Sequence, residues 1–527
     1  MRVRITYHNK NWHHILFWAA LPALLLCLSS SPTAAFNFEK GEVSGSLNMT
    51  LGYGLSVRTE DGLPSDINAP NQKANYTFNN GVVSNVFKVL AEFQADWRNY
   101  GVFADLSYSY DTLIMTQGTG RENGVFNGDL FPLPLDTGIG NKWSDDAKKA
   151  SGSVFDFIQG YVYGTFLEDE LDVRLGRQVI NWGEGLFFFD GVSQQVPLNF
   201  NKLVLPGSEL KEAYVGLGAG YVQWAATTDL SLVAYYQWEW EKTQFPGVGT
   251  FYGDDILGPG GQEEWANADA PFTGLRGSDI DARSQGQWGL SGRYFLGGTE
   301  VGLYYSRYHD PLPVVTFTNG GTTVQQTYIE DLDMIGASFA TTLGTWSFNG
   351  EVAYRPNRPL LVDLDEFFFT QDGLAAEEHD TVSASVHGIW LGGPIFLGID
   401  SQVALVQLGM DYVDGDLSRL APQGDITRDP DAEVTQTAWG IAAEWDATWQ
   451  AVVPSLDITL LLFGQYDFSG NSHNWGNFAE GRFLYSSGLN FAYGSPWEFD
   501  ILYAGMHFDE SSFRTRDTIN FSVNYKF

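Results

Sequence analysis

The chain has 527 residues and carries 64 acidic against 29 basic side chains, a formal charge of −35. A surface of that sign repels nucleic acid and presents no basic patch to hold it, which removes nucleic-acid recognition from the expected functions. The 17 Trp, 25 Tyr, 37 Phe and 59 Gly are a heavy load for so acidic a protein and call for an apolar surface beyond an ordinary core.

At the N-terminus, Arg2, Arg4 and Lys10 precede the apolar run ILFWAALPALLLCL (15–28), which gives way to SSSPTAA before Phe36. This reads as a secretory signal peptide over residues 1–35, cleaved after Ala35. Pro22 and the short apolar run argue against a membrane anchor. The only cysteine, Cys27, lies inside this stretch and follows Leu26 where lipidation would require a small residue. The exported chain, 36–527, is therefore expected to have no thiol or disulfide chemistry. It contains no apolar run near twenty residues, which excludes helical membrane spans.

From residue 43 the apolar residues recur with period two, so one strand face is apolar and the other polar. Residues 43–57 set Val43, Leu47, Met49, Leu51, Tyr53, Leu55 and Val57 on one face. Residues 87–98 oppose Phe87, Val89, Phe93 and Trp97 to Lys88, Glu92, Asp96 and Arg98, and the chain returns through Val102, Leu106 and Tyr110. The pattern repeats over 230–240, 346–354, 439–449, 456–468, 483–493 and 518–527, each about the ten residues of a tilted strand crossing a bilayer.

Short turns are expected at Asn99-Tyr100, 168–170, 227–229, Gly297-Gly298, Gly344-Thr345, 392–394, 453–455 and 494–496, alternating with long polar segments. That pattern gives about 18 strands, with 16 to 20 as the range allowed by boundary slips. Turns short on one side only, with aromatics at the ends of the apolar faces, indicate a transmembrane antiparallel up-and-down barrel of the outer-membrane type, not a secreted sandwich. The expected location is the outer membrane of a Gram-negative bacterium, among lipid and lipopolysaccharide, with both termini periplasmic. The closing strand TINFSVNYKF resembles the signal read by the barrel-assembly machinery and would close the sheet on the first strand.

The polar faces place Lys88, Glu92, Asp96, Glu239, Glu241, Arg293, Glu351, Arg355, Glu444, Asp446, Asp457, Asp467, Arg482 and Asp500 toward the lumen. Mixed charges wet a lumen and pair across strands; their acidic excess also fits a path biased toward cations.

Alternation breaks over 172–214. There Arg177 would face lipid unless a bulge at Gly176 turned it inward. The following apolar but unpatterned stretch is expected to fold into the lumen, with 183–209 as plug or gate. Phe187, Phe188 and Phe189, meeting Phe367, Phe368 and Phe369 of the DEFFFTQDG stretch (365–373), would form an apolar ligand site, although loop packing also accounts for such residues. Arg177, Glu184, Glu209, Lys211 and Glu212 would anchor the segment to the wall.

RLGRQVINWGEG (174–185), LPGSELKEAY (205–214) and YYQWEWEKTQFPGVGTFYGDDILGPGG (235–261) resemble the proteobacterial outer-membrane family known as domain of unknown function thirteen-oh-two. That resemblance implies an envelope role beside an outer-membrane-lipoprotein-sorting-like protein and a resistance-nodulation-division exporter. It thereby implies movement of lipids, sterols or other hydrophobic compounds, and supplies no catalytic residues.

The leading expectation is a transport barrel for a hydrophobic or amphipathic small molecule; the alternative is a general or cation-preferring porin. An enzyme is not expected. Of five histidines in the exported chain, only His387, near Ser383 and Ser385, hints at a nucleophile and base, and that spacing on one strand is poor geometry. Asp414 and Asp416, and Asp429 and Asp431, do not match a calcium loop. No metal or cofactor is expected.

Overall fold

The computed structural model describes residues 36–60, 80–116, 143–253, 258–261, 263–265, 273–394, 396–422, 432–474, 476–508 and 516–527. The expected signal peptide and the pair Asp429 and Asp431 lie outside the described residues. Eighteen long strands form the wall. The first nine are β1 (Val43–Arg58), β2 (Gly81–Trp97), β3 (Tyr100–Asp111), β4 (Ser153–Phe166), β5 (Leu171–Gln178), β6 (Leu217–Ala225), β7 (Leu230–Gln237), β8 (Gln287–Leu296) and β9 (Thr299–Tyr308). The second nine are β10 (Leu332–Leu343), β11 (Trp346–Leu361), β12 (Ala376–Gly392), β13 (Ser401–Val413), β14 (Thr437–Val453), β15 (Leu456–Ser469), β16 (Phe483–Tyr493), β17 (Trp497–His507) and β18 (Thr518–Lys526).

Each strand pairs antiparallel with the next, and β18 returns to β1 with Leu55 opposite Phe521 and Thr50 opposite Lys526. The sheet is a closed 18-strand antiparallel barrel. Below β18, the short strand Phe36–Lys40 continues along the foot of β1, Phe36 opposite Leu47.

Period two explains the wall. On β15, Leu462 and Tyr466 are exposed outward while Gln465 and Asp467 are buried inward. Trp97, Tyr100, Phe166, Trp346, Trp390 and Trp497 gather at the short-turn end, Trp97 and Tyr100 with ring centroids 6.1 Å apart and Trp346 and Trp390 6.2 Å apart. Such an aromatic girdle marks a membrane interface.

Two turns differ from expectation. The hairpin after β2 turns at Arg98-Asn99, one residue early, with Arg98 at φ 55°. The connection expected at 392–394 runs over 393–400, because Phe396–Gly398 makes a 3-10 turn in which Leu397 takes φ 68°.

At the long-loop end, the strands Glu263–Trp265, Thr273–Arg276, Pro313–Thr318, Thr323–Tyr328 and Gly373–Leu374 form a second, five-stranded sheet. Val315, Phe317, Val324, Leu360, Phe367, Phe368 and Leu420 form the core beneath it. Wall height is uneven, since β5 and β7 have 8 residues and β2, β12 and β14 have 17.

An arginine on the lipid face at mid-height should therefore be far worse than one facing the lumen. Leu462→Arg is expected to lower folding stability in bilayers by about 2–4 kcal/mol, and Ser486→Arg by much less, in denaturant titrations of the reconstituted barrel.

Candidate functional site

Segment 179–216 leaves the wall at the end of β5 and returns at the start of β6. Its local structure is set by short polar caps. The Asn199 side chain accepts from Asn201 N to start the helix Phe200–Val204, and Glu209 and Glu212 cap the turn Leu210–Ala213 reciprocally.

The first half is held by polar groups of β11, β12 and β13 and of the loop between β15 and β16. Asp190 is fully buried, with Arg358 Nη1 2.8 Å and Arg355 Nη1 3.3 Å from its Oδ1, and Ser383 Oγ donates to its Oδ2 at 2.8 Å. Arg355 also donates to Asp190 O at 2.8 Å. Glu351 accepts from the backbone of Glu184 at 2.5 Å and Val192 at 3.2 Å. Gln407 accepts from Phe187 N at 2.7 Å and Asn477 from Phe189 N at 2.8 Å. Buried backbone amides must be paired, and here wall side chains supply what a neighbouring strand would.

The second half docks on β2, β3 and β4. Lys202 Nζ, fully buried, donates to Ser107 and Ser109 at 3.1 Å and lies 3.4 Å from Asp156. Glu212 meets Lys88 at 2.8 Å, and Lys211 meets Glu92 at 2.9 Å. Pro206 lies so close to β1 that a Cβ on Gly54 would come 2.5 Å from its carbonyl oxygen, so only glycine fits there. With Arg293 of β8 donating to Trp182 O at 3.2 Å and Phe187 against Phe463 of β15 at 5.3 Å, the contacts come from around the barrel. The segment crosses the lumen.

Several residues expected in one site lie apart. Phe187 packs on Phe463, Phe188 on Phe478 at 4.8 Å and Phe189 on Phe200 at 6.0 Å. Phe367 and Phe368 instead pack on Phe317 at 5.5 and 4.8 Å beneath the outer sheet, while Phe369 is exposed. The two triplets do not meet, because the loop carrying the second is drawn into its own apolar core.

Arg177 does not turn inward. Strand register is continuous through Gly176, and the irregularity sits on β4 at Ile158. Arg177 therefore keeps the outward parity of Leu175 and pairs with Glu239 at 2.7 Å. Glu239 follows the end of β7, so it lies on the outer face of β6 and accepts from Gly218 N at 2.6 Å, away from the lumen. Glu184 reaches the wall through its amide; Glu209 pairs with Lys211 at 3.1 Å.

Among the other inward residues, Asp96 accepts from Tyr163 and Gln94, and Glu444 lies beside Asp446 on β14. Asp467 and Arg482 form a buried pair at 2.6 Å that clasps a long loop instead of lining a path. Ser383 is committed to Asp190, and His387 Nε2 to Asn349 at 3.0 Å. Asp414 accepts from Tyr412 at the end of β13, and Asp416 from Ser418 N of its own loop.

Asp190, Lys202, Arg358, Gln407 and Asn477 were not legible as anchors. Asp190, Lys202 and Asn477 lie in unpatterned loops that carry no periodic signal, while Arg358 and Gln407 lie on β11 and β13, where a polar side chain is ordinary; the hint is a lone Asp directly after three phenylalanines.

The family model described as "Protein of unknown function (DUF1302)" matches residues 16–527. The chain belongs to that family. No curated protein matches this DUF1302 chain in sequence. Solved structures similar to it include a BenF-like porin from Pseudomonas fluorescens Pf-5 at 12% identity and TM-score 0.45. Acinetobacter baumannii OccAB2 follows at 10% and 0.42, and Pseudomonas aeruginosa OpdK with vanillate at 11% and 0.43. In each case 92% of this chain and 98% of the other are covered.

Burial opposes the charge of Asp190, but Arg355 and Arg358, then the Ser383 hydroxyl, outweigh it and hold its carboxyl below the ordinary value. Asp190→Asn leaves two buried guanidiniums short of a countercharge and should weaken docking of the segment by about 3–5 kcal/mol. Amide exchange would then rise over 183–197 while the wall strands stay protected.

Burial first, then Arg358, push the His473 imidazole down to about 3, with Asp190 opposing and Arg355 and His379 adding. His473 is therefore neutral when docked and protonates near its ordinary value of about 6.5 when released. Its contribution is complete above pH 6.5 and declines as pH falls toward 3, by about 1.4 kcal/mol per unit. That of Asp190 is lost only below the ordinary carboxylate range. Protection of the amides at 183–197, taken relative to intrinsic exchange at each pH, should fall from pH 7 to 5, and His473→Gln should flatten that slope.

Proposed function

We propose that this chain is a gated transport barrel of the Gram-negative outer membrane, moving a hydrophobic or amphipathic small molecule through a lumen controlled by segment 179–216. The observation that carries this reading is the segment itself. It spans the lumen, yet is held largely by side-chain pairs that can exchange without opening the strand ladder. An apolar cargo is supported by Leu186, 46% exposed, and by Phe187 packed on the inward Phe463, which set apolar surface beside the polar groups of the lumen. Docking with a lipoprotein-sorting-like protein or a resistance-nodulation-division exporter would place this step in a longer route through the envelope.

A cation-preferring porin is the second reading. It is favoured by Glu444 beside Asp446 on β14, where Asp446 Oδ1 is buried with no hydrogen-bond partner among the described residues.

Planar-bilayer recordings separate the two. The intact barrel is expected to carry little ohmic current, and a variant lacking residues 185–206 a large, cation-selective one. Large steady current from the intact protein would replace the gated reading with an open porin.

A further inference from the structure

The barrel wall has a step in it. β5 pairs with β4 only from Arg177, opposite Gly160, down to Leu171, opposite Phe166. Residues 153–159 of β4, apart from the bulged Ile158, pair with β3 but have no strand on their other side among the described residues. Other strands also outrun their neighbours, but here the step comes low. Arg177 stands six positions above Leu171, about 15 Å up the wall at ordinary rise and tilt, and so within an apolar band about 25 Å tall. The rim is apolar and outward-facing: Phe155 is 66% exposed, Phe157 44%, Leu175 55% and Trp238 41%.

Both ends of segment 179–216 sit behind the step. Ile180, Val215 and the bulged Ile158 are each buried, and a Cβ on Gly216 would come 2.0 Å from Ile158 O. Side chains bridge the gap: Gln159 Oε1 on β4 accepts from Val179 N at 3.1 Å, and an ion pair reaches across beside it. Arg177 Nε donates to Phe157 O on the free edge of β4 at 2.9 Å, while Nη1 donates to Glu239 Oε1 at 2.7 Å. Glu239 Oε2 in turn accepts from Gly218 N on β6 at 2.6 Å. An ion pair at this depth on a lipid-facing wall is costly, and ionisable groups inside the membrane mark pathways. Unlike a third strand, it can open.

We propose that this step is a lateral portal, latched by Arg177 and Glu239, through which an amphiphile with one alkyl chain and a carboxylate head passes between the membrane's apolar layer and the stems of the lumen segment. The apolar rim takes the chain. The Arg177 guanidinium takes the carboxylate as Glu239 yields it, since a second carboxylate satisfies the same planar donors. The proposal rests on the reading of the protein as a transporter of amphipathic molecules and adds the entry point and the head group.

The test uses the full barrel in phospholipid vesicles with a photoreactive long-chain fatty acid, its methyl ester as control, and mass spectrometry to map labelled residues. In the wild type, label should reach Ile158, Ile180 and Val215 behind the step as well as the outer rim, with the acid ahead of the ester. Arg177→Gln should lower the acid's label behind the step by about tenfold, the scale of a lost charged hydrogen bond. Glu239→Gln, which keeps the guanidinium, should retain or raise it. Protection of the wall amides confirms that each variant is folded; where one is not, the acid-to-ester ratio in the wild type and the other variant decides. Label behind the step that is equal for acid and ester and unchanged by both substitutions would overturn the portal while leaving transport standing. Label confined to lipid-facing residues, with probe absent from every lumen-facing residue, would overturn both the portal and the apolar-cargo reading.

Discussion

A bilayer core offers no hydrogen bonds, so backbone groups exposed to it must be paired within the protein. The rest of this structure depends on that constraint. It forces β18 back onto β1, and closure of so long a sheet leaves a wide lumen. Segment 179–216 occupies that lumen under the same rule by other means. Its amides at Glu184, Phe187, Phe189 and Val192 are paired by Glu351, Gln407 and Asn477 of the wall and loops. Strand pairing holds the wall and side-chain pairing holds the segment, so the two can part without the wall failing.

Charge is deployed accordingly. In a chain this acidic, cations are scarce, yet Lys88, Lys202, Lys211, Arg355 and Arg358 all stand where segment and wall meet. Buried pairs of this kind add little net stability over apolar packing, but breaking one is expensive. They therefore fix one docked arrangement while leaving it responsive to protonation or to a competing ion. The Arg177–Glu239 pair follows the same logic where the wall steps down between β4 and β5.

The wall was legible in the sequence because its signal is physical and periodic. Alternation over β1, β2 and β15 reports the two faces directly, and turns that are short on one side report the membrane. Boundaries slipped where backbone conformation outran composition, at Arg98 and Leu397, neither a residue that advertises a positive φ. The segment was legible as a break in alternation, and Lys211 and Glu212 as anchors. Its central pin, Asp190, was not, since its partners Arg355 and Arg358 lie more than 160 residues away. The phenylalanine triplets misled for a related reason. Composition says that they must be covered, and only the fold says by what.

The central claim is that segment 179–216 is held inside the lumen by the wall. Hydrogen–deuterium exchange of the protein in bilayers, resolved to residues 183–197, tests it most directly. The account predicts that the amides of Glu184, Phe187, Phe189 and Val192 exchange far more slowly than those of exposed loops and approach the protection of the wall strands. Exchange at the rate of an unprotected loop, with the wall fully protected, would contradict it.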